Sequence, residues 1–452
     1  MNTLFLRKTA GAHSCSAMET ETIQKNGVSP KNLIRSRRNL RLYLAGMFAA
    51  LSIMAAGAAT ITIDVSTLHK GTADAGGTGW TFNETSGAIN ISGADNAYIV
   101  TGVAEDGIYI EVSSSVNQTI TLKNLSLQQE SNVFTGEGAL TVFIEGTVNL
   151  KGYTGIVAEN DLTLTATDGS VLNTEGINYG FGLRTNNTYE ARITVNGNGT
   201  FNFKGGQGGI KLSGFDELII TGDATVNASY SYNGSKYSAA VECYELTVAE
   251  HAKLVAKGES ASEDSPYGTT GLYIGMSGHI TVTSDRPGAI TAIGGYGAEY
   301  PHEDQYDTSG DGIHCPYALT IAGTGEVVAR GVEAGYGISV SGSRFTINGV
   351  WVDAYNEDRK DVFAYYGPTK TISGGGKFTT ANDVLEASGI KIWSAAGELY
   401  VSSTQPVEIE IYSISGQLVK QQTFGIGKTS VILPNGIYIV KAGNTVEKIA
   451  VR

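Results

Sequence analysis

The chain has 452 residues, of which 59 are glycine and only 8 proline, with 17% charged and 41% hydrophobic positions. That hydrophobic content fills a core, which excludes a disordered acidic segment, and the glycines follow no three-residue period, which excludes collagen. A helical bundle is disfavoured, because Gly, Thr, Ser, Asn and Val crowd out Ala, Leu, Glu and Lys over most of the length. The length suits either a few ordinary domains or one long repeat array, and the glycine-rich, charge-poor balance favours the array.

Residues 42–59 read LYLAGMFAALSIMAAGAA, a run without a charge, preceded by Lys31, Arg35, Arg37, Arg38 and Arg41. A basic segment, an apolar run and the small-residue exit Ala56-Gly57-Ala58 form a secretory signal pattern, so removal of residues 1–58 is expected. The alternative is an uncleaved anchor, but Ala and Gly dilute the run and it sits at the short limit for a span. No stable membrane span is expected after cleavage. A signal beginning near residue 40 is unusual, so a start downstream of Met1, such as Met18, is expected. No cysteine follows the run, which disfavours a lipidated N-terminus.

Residues 1–58 carry eight Lys/Arg and two Asp/Glu, so the formal charge of −13 becomes about −19 in the remainder. Such a surface repels nucleic acids and anionic membranes, and suits cation binding or plain solubility. Beyond residue 58 only Cys243 and Cys315 remain, too few for a disulfide scaffold.

From about residue 86 one pattern recurs: a small residue, a short apolar strand, a turn, a Leu-Thr-Val-like strand, a glycine turn, and a Val-x-Ala-like strand. Examples are GIVAENDLTLTATDGSVLNTEG (155–176), GIKLSGFDELIITGDATVNAS (209–229) and GIHCPYALTIAGTGEVVARG (312–331). The strands alternate with period two and are broken by Gly, Asn or Asp, so helices are not indicated. Three short strands per unit, repeated about ten times, predict an all-β solenoid: a single-stranded parallel β-helix over residues 59–390, one coil per unit. Ten coils at ~4.8 Å give a rod of about 50 Å. Glycine is expected at turns that need positive φ. No proline lies between residues 59 and 265 to interrupt the ladders.

Aligning the first strands of the units yields columns. Second positions are Ile156, Leu183, Ile210, Val241, Leu272, Ile313 and Ile338, and fourth positions are Ala158, Thr185, Leu212, Cys243, Ile274, Cys315 and Val340. Both columns are expected to face inward, which makes the two cysteines core residues too far apart to bridge. Third positions, Val157, Arg184, Lys211, Glu242, Tyr273, His314 and Ser339, are expected to face outward. This stripe is either an ordinary solvated face or a ligand groove, since Arg184, Lys211, Glu242, Tyr273 and His314 suit sugar hydroxyls and carboxylates.

The variable loop before each first strand is rich in tyrosine and acid. Tyr230, Tyr232 and Tyr237 lie in one such loop, and Tyr300, Tyr306, Asp304, Asp307 and Asp311 in another. Stacked coils place these loops on one rim, where aromatic faces suit sugar rings and carboxylates suit Ca²⁺. DTSGDG (307–312) resembles a calcium loop but lacks its regular spacing and closing glutamate, and a solvated loop is the plainer reading. No other cofactor is indicated. Nucleotide loops, zinc spacings and nucleophile elbows are missing, and no catalytic residue set is complete.

Phrasing such as LTIAGTGEVVARG resembles the right-handed parallel β-helices of the pectate-lyase-like superfamily, and within it the non-catalytic carbohydrate-binding proteins exported by Bacteroidota. The C-terminal segment contains VEIEIYSISGQLV (407–419), LPNGIYIV (433–440) and VEKIAVR (446–452). It resembles the C-terminal sorting or Ig-like domains of Bacteroidota secreted proteins, with Gly416, Val419, Leu433, Pro434, Gly436, Tyr438, Lys448 and Val451 matching their pattern. Alternation in these strands independently predicts a small β-sandwich over residues 391–452. The resemblance implies type IX export to the cell surface or extracellular space, with the secretion machinery as partner. Without a sorting role for this domain the periplasm is expected. It also implies a polysaccharide or a host or cell-surface glycan as ligand, bound without catalysis, as in an adhesin. A polysaccharide lyase or glycoside hydrolase, which needs clustered carboxylates with an Arg or Lys on one face, and a purely structural stalk are the alternatives.

Overall fold

A computed structural model describes residues 59–451, apart from residues 72, 94–95, 105–106, 114–117, 187–189, 231–237, 261–267, 298–309, 333–334, 357–363, 381–389, 396–397, 404–405, 426 and 443–444. The signal pattern lies outside the described residues.

Short alternating strands separated by Gly and Asn corners fold residues 60–379 into a parallel β-helix with three faces. In one coil Phe181–Thr185 lies on face 1, Arg192–Gly197 on face 2 and Thr200–Gly205 on face 3. The next coil lays Gly208–Lys211, Glu217–Ile220 and Thr225–Tyr230 against them in parallel. Face 1 runs from Ala88–Ile91 to Tyr365–Tyr366, face 2 from Thr60–Asp64 to Lys370–Ser373, and face 3 from the end of Ala97–Ala104 to Lys377–Thr379. Among the described residues faces 1 and 3 each have eleven rungs and face 2 has twelve, slightly more than the ten expected. At the N-terminal end Ala75–Gly77 and Trp80–Phe82 pair antiparallel onto Ala88–Ile91 and cover the first edge of face 1.

The inward columns of face 1 have the expected register. Ile156, Leu183, Ile210, Val241, Leu272, Ile313 and Ile338 are paired rung to rung and all are buried. Cys243 and Cys315 are buried thiols, not joined in a disulfide, and burial pushes the pKa of both upward. Cys243 pairs with Ile274, and the Cys315 thiol donates to the Ala318 carbonyl at 3.3 Å.

Many of the glycines serve a purpose other than turning. Gly155, Gly182, Gly209, Gly271, Gly312 and Gly337 precede the first inward residue of face 1 and have no positive φ. An added Cβ on any of them would lie within 2.7 Å of another atom, for Gly271 the backbone N of Ile293 on face 3. Face 1 therefore approaches face 3 closely here, and the column is small because there is no space. Ala240 alone among the matching positions from Gly155 to Gly337 carries a methyl group, and it is fully buried.

Face 3 has an asparagine ladder on its outer side. Asn173 donates from Nδ2 to Oδ1 of Asn149, Asn202 to Asn173, and Asn227 to Asn202, each at 2.8 Å. Asn202 both donates and accepts, so Asn202→Ala removes two of these bonds. A loss of about 1 kcal/mol is expected, read as a lower denaturant midpoint with unchanged slope.

Residues 390–451 form a separate small sandwich. Ile390–Ala395, Glu398–Ser403 and Gly427–Ile432 make one antiparallel sheet, and Leu418–Phe424, Val407–Ser413, Gly436–Ala442 and Thr445–Val451 the other. Leu399, Val401, Ile409, Ile411, Phe424, Val440 and Val451 fill its core.

Candidate functional site

The outer column of face 1 is continuous over the whole helix: Asn90, Glu111, Thr135, Val157, Arg184, Lys211, Glu242, Tyr273, His314, Ser339 and Tyr366 occupy successive rungs. Alignment of the repeats finds the middle seven. Asn90, Glu111, Thr135 and Tyr366 lie on rungs outside the aligned units, and in two of them Tyr109 and Val133 replace the small leading residue.

The column is more sheltered than a solvated face. Val157, Ser339 and His314 are buried, at 0%, 4% and 9% exposure, contrary to the outward exposure expected for them. Arg184, Lys211, Glu242 and Tyr273 between them are half-buried. Neighbouring rungs engage one another through their side chains. The Lys211 ammonium donates to the Glu242 carboxylate. Tyr273 stacks on His314, with ring centroids 5.5 Å apart and planes 20° from parallel. Arg184 Nε is buried and has no hydrogen-bond partner among the described residues. The strip thus offers a guanidinium, an ion pair and a tyrosine face over about 14 Å.

His314 Nδ1 lies 2.9 Å from Asp311 Oδ2, and Asp311 Oδ1 accepts the Tyr336 backbone N–H at 2.7 Å. The Asp311 carboxylate is itself buried. Asp311, one of the three calcium candidates, thus holds His314 with one oxygen and the next corner with the other. Asp304 and Asp307 lie outside the described residues. No group of three metal-binding side chains occurs among the described residues.

Tyr230 is a second correction. It ends the strand Thr225–Tyr230, two residues beyond the inward Ala228, and is only 1% exposed. Its ring fills the inward position that Gly205 holds one rung earlier, and burial raises its hydroxyl pKa. Tyr232, Tyr237, Tyr300 and Tyr306 lie outside the described residues. The same edge of the helix does display Tyr153, Tyr179 and Tyr296, all exposed. Tyr153 and Tyr179 belong to short corners of earlier coils, where no long loop drew attention to them. An open cleft of about 750 Å³ lies at this edge too, lined by Lys70, Tyr109, Gln128, Gln129 and Lys151 among others.

In the C-terminal sandwich the motif residues have separate mechanical roles. Gly416 has φ +82 in the turn that returns Ser413 to Gln417, where the Gly416 N–H donates to the Ser413 carbonyl at 2.9 Å. Leu433 is buried, and the Tyr438 hydroxyl donates to the Pro434 carbonyl at 2.8 Å, clamping the Leu-Pro-Asn-Gly turn to its strand. Gly436 lets that ring lie close, since a Cβ there would meet it at 3.3 Å. Lys448 is exposed and pairs in register with Ile439. Residues 395–452 match the family model described as a secretion system C-terminal sorting domain.

The tail is a type IX sorting domain. The sorting domain directs export by type IX secretion, the route of Bacteroidota, to the cell surface or the extracellular space, and its partner is the secretion machinery. No helix among the described residues is long and apolar enough to cross a membrane. No curated protein and no solved structure matches the chain.

Proposed function

We propose that the protein is an exported, non-catalytic β-helix of the pectate-lyase-like type that binds glycans, as an adhesin on the cell surface or in the surrounding medium. The observation that carries this reading is the half-sheltered face 1 strip, where Arg184, the Lys211–Glu242 pair and Tyr273 stand on consecutive rungs. A planar guanidinium and an ion pair suit hydroxyls and carboxylates, and a tyrosine face suits a sugar ring. Catalysis on this face is less well supported. The carboxylate of Glu242 in the strip is paired with Lys211, and that of Asp311 beside it is held by His314 and the Tyr336 N–H.

A glycan array probed with the full-length secreted chain, with and without calcium, is expected to return a defined set of ligands. Arg184→Ala and Tyr273→Ala are each expected to weaken those ligands at least tenfold. An empty array under both conditions removes the binding reading. Release of reducing or unsaturated ends from uronic polymers replaces it with the lyase or hydrolase reading.

A further inference from the structure

Face 3 carries a second ordered array on its outer side. At the end of each strand the outermost column reads Lys151, Glu175, Lys204, Ser229, Lys257, Ile293 and Arg330 on successive rungs. Cations therefore recur on every second rung, at Lys151, Lys204, Lys257 and Arg330. At ordinary strand spacing two rungs are about 9.6 Å apart. The positions between are uncharged except Glu175, which pairs with Lys151 at 3.3 Å. Lys204 and Lys257 are exposed, and neither makes an ion pair among the described residues. This line of positive charge runs against the balance of a chain that carries about −19 beyond residue 58.

The asparagine ladder lies in the adjacent column. Each of Asn173, Asn202 and Asn227 spends one amide hydrogen on the preceding oxygen. An amide has two N–H donors and two acceptor lone pairs, so the ladder keeps further donors and acceptors for groups above the sheet. Amides for hydroxyls thus stand beside the cations Lys151 and Lys204, and the same column continues as Val255 and Val328 beside Lys257 and Arg330.

We propose that face 3 binds a linear acidic polysaccharide carrying one acidic group per disaccharide, laid along the helix axis. An extended disaccharide has a length of the same order as two rungs, so each acid meets a cation, and the sugar hydroxyls over the rungs from Lys151 to Ser229 meet the ladder. A polymer with an acid on every sugar places half its charges over Glu175, Ser229 and Ile293, where nothing neutralises them. The site is separate from the face 1 strip, so either can fail while the other stands.

Hyaluronan, with one carboxylate per disaccharide, is the probe, titrated into the full-length secreted chain at low and at high salt. Polygalacturonate and a neutral linear glucan are the comparisons. Hyaluronan is expected to bind at least tenfold more tightly than either, and to weaken as salt rises. Joint Lys204→Ala and Lys257→Ala substitution is expected to lower that affinity at least tenfold at unchanged Tm. A second variant, Lys204→Ser with Ser229→Lys, keeps the net charge but moves one cation by a single rung, and the same loss is expected. Full affinity in this shifted variant overturns the proposal, as does equal binding of polygalacturonate or no binding of hyaluronan. Loss of hyaluronan in Arg184→Ala and Tyr273→Ala, with the lysine variants unaffected, assigns the polymer to face 1 and also overturns it.

Discussion

Gly271→Ala is expected to cost the β-helix about 3 kcal/mol or more, while Gly275→Ala, four residues along the same strand, leaves stability nearly unchanged. The two sites differ in what an added methyl group meets. At Gly271 it would fall 2.6 Å from the Ile293 amide nitrogen, 2.7 Å from the Ile293 carbonyl and 2.9 Å from the Ala256 carbonyl. These are backbone atoms of ladders locked on both sides, so no side chain can swing away to make room. At Gly275 the nearest atom is the Cys243 carbonyl oxygen at 3.9 Å, an ordinary contact. Denaturant midpoints of the two variants, compared with the parent, decide the matter. Equal midpoints would show that faces 1 and 3 do not close together as described.

The second large effect is expected at Asp216, a fully buried carboxylate at the corner between faces 1 and 2. The Thr185 hydroxyl donates to Oδ2 at 2.5 Å and the Ala191 backbone N–H donates to Oδ1 at 2.7 Å. The Ser213 backbone N–H donates to Thr185 Oγ1 at 2.8 Å, which aims that hydroxyl at the carboxylate. Asp216→Ala strands these buried donors, and a loss of about 3 kcal/mol is expected. Burial outweighs the hydrogen bonds and raises the Asp216 pKa above its ordinary value. A carboxyl group that holds its proton more tightly in the folded chain favours folding most when protonated. Its contribution is full below about pH 4 and declines as pH rises through the raised folded value. Asp216→Asn is expected to remove that decline. Stability profiles of parent and variant that stay parallel from pH 4 to 7 would contradict this account of the corner.

Much of the fold is legible in the sequence because a solenoid repeats its constraints. Ile156, Leu183 and Ile210 can be aligned by eye, and the same alignment places Arg184, Lys211 and Glu242 one step away on the opposite side. Register follows from the glycine column, whose members are fixed by lack of space. Where a large residue replaces the small leading one, as at Tyr109 and Val133, the alignment fails and the N-terminal part of the outer column is lost with it. Burial on the outer side is harder to read, because a period-two pattern tells which side a residue faces and not what lies over it. His314 and Ser339 are therefore misjudged. Tyr230 is misjudged for a related reason: it opens a tyrosine-rich stretch of sequence, but its own backbone still belongs to the ladder. Asp311 sits among acids in the sequence and looks like a ligand. Its partners are the Tyr336 N–H and the His314 ring, and no spacing rule reveals a backbone donor from the next coil. The alternate-rung cations of face 3 escape notice for the opposite reason, since Lys151, Lys204, Lys257 and Arg330 lie tens of residues apart and only the coil brings them into line.

We propose that the outer strip of face 1 holds a glycan. The most direct measurement is the affinity of the full-length secreted chain for its strongest array ligand, compared with Tyr273→Ala and with Thr163→Ala on face 2. Removing the Tyr273 ring is expected to weaken binding at least tenfold at a Tm close to the parent's, while the face 2 change has no effect. Equal affinity in all three proteins would contradict the account.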